Sequence, residues 1–342
     1  MQPARKIRIL IVDDSLVFRE ALARGLSADP RIEVVAKASN PFEARDKIME
    51  TNPDVITCDI EMPRMNGIEF VRRLLKQHPI PVIVVSSVSD AVFDAIGAGA
   101  VEFVAKPDDR SPKGIEALVN DLAAKIVVAS KVRVRLQPGV QPPVKAAQAQ
   151  FDLSKVIGIG ASTGGTEAIL RVLKGLPANV PGIVVVQHIP PVFSKMFAQR
   201  VDTQTQLTVK EAEHGDFVEP GHAFIAPGDK QMRVRKVGDR LKLELSEGEK
   251  VSGHCPSVDV LFDSLAAQCG NRAVGVLLTG MGHDGARGLL NMRKSGAYTI
   301  GQDEKSSVVY GMPKIAFELG AVEKQLGLDA IAGELVQRLS LR

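Results

Sequence analysis

Short apolar runs alternate with longer amphipathic stretches along the first 130 residues of the chain. Residues 7–12 alternate in polarity and then become wholly apolar, which is typical of a buried parallel strand. Strands alternating with helices at this spacing predict a doubly wound α/β fold with a five-stranded parallel sheet. The other predicted strands cover residues 32–38, 55–59, 82–85 and 101–105. The predicted helices cover 17–25, 41–50, 90–98 and 114–129, and residues 64–77 are predicted as a loop and an amphipathic helix.

The second half of the chain opens with the apolar run 156–161, followed by a glycine-rich turn and a helical pattern at 167–175. Another apolar strand follows at 183–187, so the pattern predicts a second α/β domain of Rossmann-like type. Four short strand-like runs then interrupt the pattern and predict inserted β-hairpins. These runs are 207–212, 222–225, 232–237 and 241–245; further strands are predicted at 273–279 and 298–302, and further helices at 194–201, 257–268, 286–295 and 312–319.

Residues 127–152 between these two regions follow neither pattern. Basic residues alternate with valines at 131–135, and residues 137–150 are rich in proline, glutamine and alanine without an apolar period. Such a composition is typical of an extended, semi-rigid spacer. We therefore expect a first domain at 1–126, a linker at 127–152 and a second domain at 153–342.

Length, charge and cysteine content narrow the class of protein. A chain of 342 residues is long enough for two domains with their own cores, and its net charge of +3 gives no reason to expect a nucleic acid as partner. The three cysteines stand far apart, which favours a reducing compartment over a disulfide framework or a zinc site. The apolar run near the start ends at Asp13 and is too short for a signal peptide or a membrane span, so a cytoplasmic location without membrane insertion is expected.

Polar and charged residues follow four of the predicted strands of the first domain. Asp13 and Asp14 follow the first strand and Asp59 ends the third, while Ser86 and Lys106 follow two others. Because carboxyl ends of parallel strands share one edge, these side chains should meet there, where a divalent cation would offset the repulsion of three carboxylates. Oxygen ligands of this kind suit Mg²⁺, and a carboxylate beside the metal could accept a phosphoryl group held by Ser86 and Lys106.

The glycine-rich turn of the second domain admits two functional interpretations, beside that of a turn without chemistry. Gly158 and Gly160 resemble the opening of a dinucleotide-binding fingerprint, whereas the stretch from Gly160 to Gly164 fits the G-x-S-x-G pattern that exposes a nucleophilic serine, Ser162. A dinucleotide site needs an acidic residue at the end of the second strand to bind the ribose. His188 stands at that position, so the pattern favours serine chemistry.

Three residues with the chemistry of a catalytic triad follow predicted strands of the second domain. Ser162 follows the first strand, His188 the second and Asp284 a later one, so parallel strands would bring them to one edge. A serine hydroxyl becomes nucleophilic when a histidine takes its proton, and a carboxylate fixes the tautomer of that histidine. The order Ser, His, Asp differs from the order of α/β hydrolases, which argues against that fold but not against the chemistry.

Four other histidines of the second domain compete with His188 for the role of base: His214, His222, His254 and His283. The first two flank predicted hairpin turns and are expected to be solvated. His283 is adjacent in sequence to the predicted carboxylate, which is a poor geometry for a hydrogen bond between the two side chains. His188 alone follows a strand of the sheet, and the pattern therefore favours it.

The strand ends of the first domain resemble the receiver domain of two-component response regulators, a flavodoxin-like fold, over about residues 6–126. The resemblance rests on Val-Asp-Asp-Ser at 12–15, Asp59, Ser86 and Lys106-Pro107. It implies that Asp59 accepts a phosphoryl group from a histidine kinase and that Asp13 and Asp14 help to bind Mg²⁺. It also implies a cis peptide bond before Pro107, which would direct Lys106 into the pocket.

Five segments of the second domain resemble the chemotaxis protein-glutamate methylesterase family. The resemblance implies hydrolysis of glutamate γ-methyl esters on methyl-accepting chemotaxis receptors, with release of methanol, and deamidation of particular receptor glutamines, without a cofactor. It implies Ser162 as nucleophile, His188 as general base and then acid, and Asp284 as the orienting carboxylate. Thr163 and the backbone N–H of Met281 match positions that support the oxyanion or the triad. The segments are 158–165, 187–190, 256–259, 279–285 and 310–313.

The two resemblances together imply that phosphorylation of Asp59 raises the esterase activity through a two-state switch at the receiver's interface with the catalytic edge. A different class of function stays open, because receivers are most often joined to DNA-binding outputs and the linker has a basic stretch. No helix-turn-helix spacing follows residue 150, and the charge is nearly balanced. A nucleotide-binding module and a regulator that acts on receptors outside chemotaxis stay open as well.

Overall fold

The computed structural model describes residues 5–62, 66–87, 91–107, 111–132 and 150–341. The chain divides into two compact units, residues 1–138 and 139–342. Residues 133–149, most of the predicted linker, lie outside the described ranges, and the domain boundaries at 126 and 153 stay predictions. Within the described ranges, no helix is both long and apolar enough to cross a membrane.

The first unit has the predicted five-stranded sheet, with all strands parallel and in the order β2-β1-β3-β4-β5. Because β1 lies between β2 and β3, the chain changes its direction of winding beside β1, and ligand sites form at such a point. The strands are β1 (Ile7–Val12), β2 (Ile32–Ala38), β3 (Val55–Cys58), β4 (Val82–Ser86) and β5 (Glu102–Ala105); the helices are α1 (Leu16–Ser27), α2 (Pro41–Thr51), α3 (Gly67–Gln77), α4 (Ala91–Gly97) and α5 (Pro112–Ala129).

Side-chain caps fix where most helices of the first unit begin. Ser15, Asn40, Asn66 and Ser111 each accept a hydrogen bond from a backbone N–H two or three residues further on, which satisfies donors that a helix start leaves free. The cap at Ser15 matters for the site, because it keeps the two acidic residues before it outside α1. The chain thus presents them in the loop at the end of β1.

The prediction of a cis peptide bond before Pro107 is wrong. Among the described residues, the cis bond lies between Cys255 and Pro256 instead. Lys106 reaches the acidic pocket without it, because its backbone N–H bonds the carbonyl of Ser86 at 2.8 Å and so extends the pairing of β4 with β5.

The second unit is built on a seven-stranded sheet of parallel strands in the order β14-β13-β12-β6-β7-β9-β8. The strands are β6 (Val156–Ala161), β7 (Ile183–Gln187), β8 (Thr208–Glu211), β9 (His222–Ile225), β10 (Gln231–Val237), β11 (Arg240–Ser246), β12 (Ala273–Leu277), β13 (Tyr298–Gln302) and β14 (Lys324–Leu326). The helices are α6 (Gly165–Lys174), α7 (Phe193–Gln204), α8 (Val258–Cys269), α9 (Ala286–Lys294), α10 (Met312–Glu318) and α11 (Leu328–Leu339), with a 3₁₀ turn at Gly270–Arg272.

Two of the four short runs predicted as hairpins behave differently. β10 and β11 form an antiparallel hairpin, but β9 joins the main sheet as a parallel strand beside β7, and β8 pairs in parallel with β9. Three of the four residues of β9 are buried, as expected for a strand inside a sheet. The local sequence pattern does not show which partner a strand pairs with, and this is why the prediction failed. β14 and α11, beyond residue 319, were not predicted.

The two glycines inside β6 serve packing. A Cβ on Gly158 would lie 2.4 Å from Leu265 Cδ1, and a Cβ on Gly160 would lie 2.2 Å from Val258 Cγ1. Both neighbours belong to α8, so the glycines let this helix lie directly on the sheet. The helix accounts for the glycine spacing that suggested a dinucleotide fingerprint.

Candidate active site

The loops after β6, β7 and β12 carry the predicted triad of the second unit. The N–H of His188 bonds the carbonyl of Ala161 at 3.2 Å, and the N–H of Ser162 bonds the carbonyl of Thr279 at 3.0 Å. These bonds extend the strand pairing beyond the sheet and keep the three loops together. Ser162, His188 and Asp284 therefore lie at one carboxyl edge, where β6 has β7 on one side and β12 on the other.

His188 and Asp284 form a buried pair. His188 Nε2 lies 2.8 Å from Asp284 Oδ2, and the two side chains are 8% and 1% exposed. A carboxylate only accepts hydrogen bonds, so Nε2 carries the proton of the neutral ring. His188 Nδ1 is buried and has no hydrogen-bond partner within the described residues. The arrangement leaves Nδ1 as the nitrogen that can take a proton from a nearby hydroxyl.

The carboxylate of Asp284 also accepts three bonds from the start of α8. Ser257 Oγ donates at 2.8 Å, and the N–H groups of Val258 and Asp259 donate at 2.7 and 2.9 Å. Burial alone would raise the pKa of Asp284, but the bond and charge of His188, together with these backbone donors, outweigh it and hold the pKa below its ordinary value. Asp284 thus stays ionised and fixes both the imidazole and the first turn of the helix.

Ser162 and His188 are also joined through Gln187, a residue that the sequence pattern did not single out. Its amide Nε2 donates to the carbonyl of Ser162 at 2.9 Å and lies 3.2 Å from the carbonyl of His188. Gln187 is 3% exposed at the end of an otherwise apolar strand. A buried polar residue in that position was the available signal, since such groups need hydrogen-bond partners.

Gly280 brings the loop after β12 against the predicted nucleophile. A Cβ on Gly280 would lie 2.7 Å from the Cβ of Ser162 and 2.2 Å from Met312 Sδ, so only glycine fits. The next residue, Met281, is 40% exposed, whereas Thr163 is 8% exposed. In the part of the chain that the structure describes, the backbone N–H groups of Thr163 and Met281 donate to no protein acceptor. Both remain available for an oxyanion.

His254, one of the competing histidines, lies beside His188, and the sequence pattern did not predict this contact. Its ring is stacked on that of His188, with 3.6 Å between centroids and 9° between planes. Burial, with the neighbouring charge of His188, lowers the pKa of His254 to about 4. His214 and His222, by contrast, place Nδ1 within 3.1 Å of the carbonyls of Leu245 and Pro220.

The carboxyl edge of the first unit brings together the predicted phosphorylation pocket. Oxygens of Asp13, Asp14 and Asp59 all lie within 4.8 Å of one another, and Asp14 is exposed while the other two are buried. Lys106 Nζ lies 2.8 Å from Asp13 Oδ2 and 2.6 Å from Asp59 Oδ2. Ser86 Oγ is buried and lacks a hydrogen-bond partner among the described residues, so it is free to bond a further group.

The electrostatics of this pocket fit a divalent cation. Burial, with the nearby charge of Asp59, raises the pKa of Asp13 above its ordinary value, although bonds to Lys106 partly offset the shift. Burial would lower the pKa of Lys106, but its bonds to both carboxylates outweigh it, and the pKa is raised. The cluster thus has three carboxylates and one lysine, which bonds two of them. An all-oxygen donor set with excess negative charge is the kind of site that Mg²⁺ occupies.

The two units define a class of protein: a response-regulator receiver joined to an α/β effector domain. The model of the CheB methylesterase family matches residues 157–335, and the model of the response regulator receiver domain matches residues 9–115. The chain belongs to the CheB methylesterase family. Because the match to this family covers most of the second unit, the alternative of a DNA-binding domain in that region is not supported.

Relatives match the chain over nearly its whole length. The protein-glutamate methylesterase/protein-glutamine glutaminase 2 of Syntrophomonas wolfei is 53% identical over 98% of both chains. The protein of the same type from Salmonella typhi is 43% identical over 98% of this chain and 97% of its own. The crystal structure of the Thermotoga maritima CheB methylesterase catalytic domain is 37% identical, covers 54% of this chain and 98% of that one, and has a TM-score of 0.53.

Proposed function

We propose that this enzyme, a protein-glutamate methylesterase and protein-glutamine glutaminase, acts on methyl-accepting chemotaxis receptors in the cytoplasm and is activated by phosphorylation. It hydrolyses glutamate γ-methyl esters to glutamate and methanol, and it deamidates particular glutamines to glutamate and ammonia. The observation that carries the catalytic part is the buried pair of His188 and Asp284 at the sheet edge that also holds Ser162.

The first half of the reaction transfers the glutamyl group to the enzyme. Ser162 Oγ attacks the ester carbonyl while His188 Nδ1 takes the hydroxyl proton, and Asp284 stabilises the resulting imidazolium. The N–H groups of Thr163 and Met281 stabilise the negative oxygen of the tetrahedral intermediate. The intermediate then collapses to a glutamyl ester of Ser162, and His188 returns the proton to the leaving methoxide.

The second half restores the enzyme. Water attacks the glutamyl ester, His188 takes a proton from that water, and the same proton returns to Ser162 Oγ as the receptor's glutamate side chain leaves with a free carboxyl group. With a glutamine substrate the leaving group is ammonia, and the remaining steps are the same. No step requires a metal or an organic cofactor.

The receiver site is proposed to control this chemistry. Asp59 attacks the phosphoryl group of a phosphohistidine on a chemotaxis histidine kinase, and the histidine leaves. Mg²⁺ would be held by Asp13, Asp14 and Asp59, and it would neutralise charge between the carboxylates and the phosphoryl oxygens. Lys106 Nζ and Ser86 Oγ are the groups that would hold those oxygens.

The decisive experiment measures methanol release from methylated receptor, with and without a small phosphodonor and Mg²⁺. The native chain should release methanol faster with the donor, Ser162→Ala should release none, and Asp59→Asn should keep the basal rate without a response. Full activity of Ser162→Ala would overturn the catalytic assignment. A normal donor response of Asp59→Asn would overturn the regulatory one.

A further inference from the structure

The predicted base, His188, is restrained from two directions. In the plane of its ring, Nε2 bonds Asp284 at 2.8 Å; on its face, the ring of His254 lies parallel at 3.6 Å. A single hydrogen bond leaves an imidazole free to tilt about the line that joins the two bonded atoms. A parallel ring in van der Waals contact removes this freedom.

His254 is itself held firmly. It closes a tight turn with Val251, in which each N–H bonds the other residue's carbonyl at 3.0 and 2.9 Å. Within this turn Ser252 has a φ of +51°, and its hydroxyl donates to the buried carboxylate of Asp259 at 2.8 Å. Asp259 lies in the first turn of α8, the same turn that bonds Asp284. The turn that carries His254 and the carboxylate that orients His188 are therefore fixed to one helix end.

We propose that His254 is a positioning residue for the reaction, whose stacked ring keeps the imidazole of His188 in the orientation that serves Ser162. The inference rests on the proposed function, in which His188 is the base. His254 takes no proton and touches no reacting atom in this role. Its contribution is the geometry of its neighbour, which catalysis by a positioned group requires.

The charges around His254 suit a neutral stacking partner. His188, Lys250 and His283 are the cationic or titratable bases that face it, and Asp284 is the facing carboxylate. Burial, followed by the charge of His188, lowers the pKa of His254 to about 4, so the ring is neutral at pH 7. His188 gains a proton during the reaction, and a neutral aromatic face attracts a cation whereas a second imidazolium would repel it.

The test uses the rate at which a fluorophosphonate probe labels Ser162 in the full-length chain. This probe needs an activated serine but no receptor. His254→Ala removes the ring and should slow labelling about 10–100-fold, while His254→Phe keeps an aromatic face and should stay within about threefold of the native rate. On a methyl-ester substrate the alanine variant should lose kcat with little change in KM. His222→Ala, a histidine at the start of β9, is the matched control and should label at the native rate.

Two results would overturn the stacking role: a native labelling rate for His254→Ala, or a phenylalanine variant as slow as the alanine variant. If thermal unfolding shows that His254→Ala does not fold, His254→Gln replaces it and should be equally slow. His188→Ala separates this inference from the proposed function. Rapid labelling of that variant would remove His188 as base and refute the proposed mechanism, and the stacking role with it. Slow labelling of His188→Ala together with a fast His254→Ala would refute the stacking role alone.

Discussion

The two candidate sites occupy equivalent places in two different sheets. The acidic pocket lies at the carboxyl ends of β1 and β3, and the serine site lies at the carboxyl ends of β6, β7 and β12. In each sheet the first strand of the unit lies between two other strands: β1 between β2 and β3, and β6 between β12 and β7. The chain changes its direction of winding beside this strand, and a ligand crevice forms where the loops on its two sides separate. The position in the fold is thus common to both sites, and the side chains alone decide the chemistry.

The difference lies in how each site manages charge. The receiver gathers three carboxylates against one lysine, and burial with the charge of Asp59 raises the pKa of Asp13. In the second unit, Asp284 accepts four hydrogen bonds, and its pKa is lowered. The excess negative charge of the receiver pocket therefore needs an incoming cation to neutralise it. In the serine site, by contrast, the protein's own hydrogen bonds already stabilise the carboxylate and fix its orientation. Four variants or conditions test this contrast.

The largest expected effect follows from Asp284→Asn. An amide cannot accept all four hydrogen bonds and cannot stabilise the imidazolium, so kcat for methanol release should fall on the order of 10⁴-fold. The buried donors left without partners should lower the free energy of unfolding of the second unit by about 1–3 kcal/mol. Methyl-ester turnover and urea unfolding measure the two effects.

The control is Asp263→Asn on α8, the helix whose first turn bonds Asp284; the exposed carboxylate of Asp263 accepts a bond from Asn291. It should change neither quantity appreciably, because exposed pairs contribute little. An Asp284→Asn enzyme with native kcat would contradict the claim that the site is organised around this carboxylate.

Gly280→Ala should give the next largest effect. The new Cβ would meet the Cβ of Ser162 at 2.7 Å, so the loop must move away from the predicted nucleophile. A displacement of about 1 Å at a catalytic group can cost about 100-fold in rate, and a loss of about 10–100-fold in kcat is expected.

The matched control for this glycine variant is Gly333→Ala in α11. A Cβ there meets nothing within 4 Å, so activity should be unchanged, and the stability should rise by about 0.5–1 kcal/mol because alanine favours a helix. Equal activities of the Gly280 and Gly333 variants would show that close approach at Ser162 is not needed.

The sequence was sufficient to predict where the residues that follow strands lie in the fold. Both sheets are parallel α/β sheets as predicted, and position after a strand was enough to place Ser162, His188 and Asp284 at one edge. It could not show His254 stacked on His188 or Ser257 bonded to Asp284, because both contacts depend on where α8 and the turn before it pack. Such packing is decided by tertiary contacts far apart in sequence.

The same limit explains the errors in the fold. β8 and β9 have a local pattern that a hairpin would also show, but β9 pairs in parallel with β7, and β8 pairs in parallel with β9 at the sheet edge. Lys106 reaches its pocket through extended pairing of β5 with β4, which composition does not reveal. Local periodicity predicts an element, whereas its neighbours decide the register and the partner.

On the receiver side, Mg²⁺ should stabilise the fold by a moderate amount. A ligand present at a concentration ten times its dissociation constant adds about 1.4 kcal/mol to the free energy of unfolding. This corresponds to an about tenfold increase in hydrogen-exchange protection. We expect this gain in peptides that cover β1 and β3 of the full-length chain. Asp13→Asn should lose most of it, and the exposed control Asp46→Asn should keep it. An unchanged Mg²⁺ response of Asp13→Asn would exclude Asp13 from the metal site.

The smallest effect concerns the charge on Asp13 without metal. Its pKa is raised in the folded protein, so between the ordinary Asp range and the raised value the folded state binds more protons than the unfolded state. The contribution of Asp13 to the free energy of unfolding therefore falls as the pH rises through this range, by at most about 1.4 kcal/mol per pH unit. In a chelator, the native receiver should gain hydrogen-exchange protection as the pH is lowered from 7 towards the ordinary Asp range, whereas Asp13→Asn should lack this pH-dependent gain.

The comparison between native chain and Asp13→Asn at each pH isolates the one group, since every other titration is shared. The variant should be the more stable of the two at pH 7, where the native carboxylate is charged and crowded by Asp59, and the gap should narrow on acidification. A gap that widens as the pH falls would mean that Lys106 stabilises the charged form of Asp13 more than burial and Asp59 destabilise it. The receiver pocket would then be organised in advance like the serine site, and the contrast between the two sheet edges would fail.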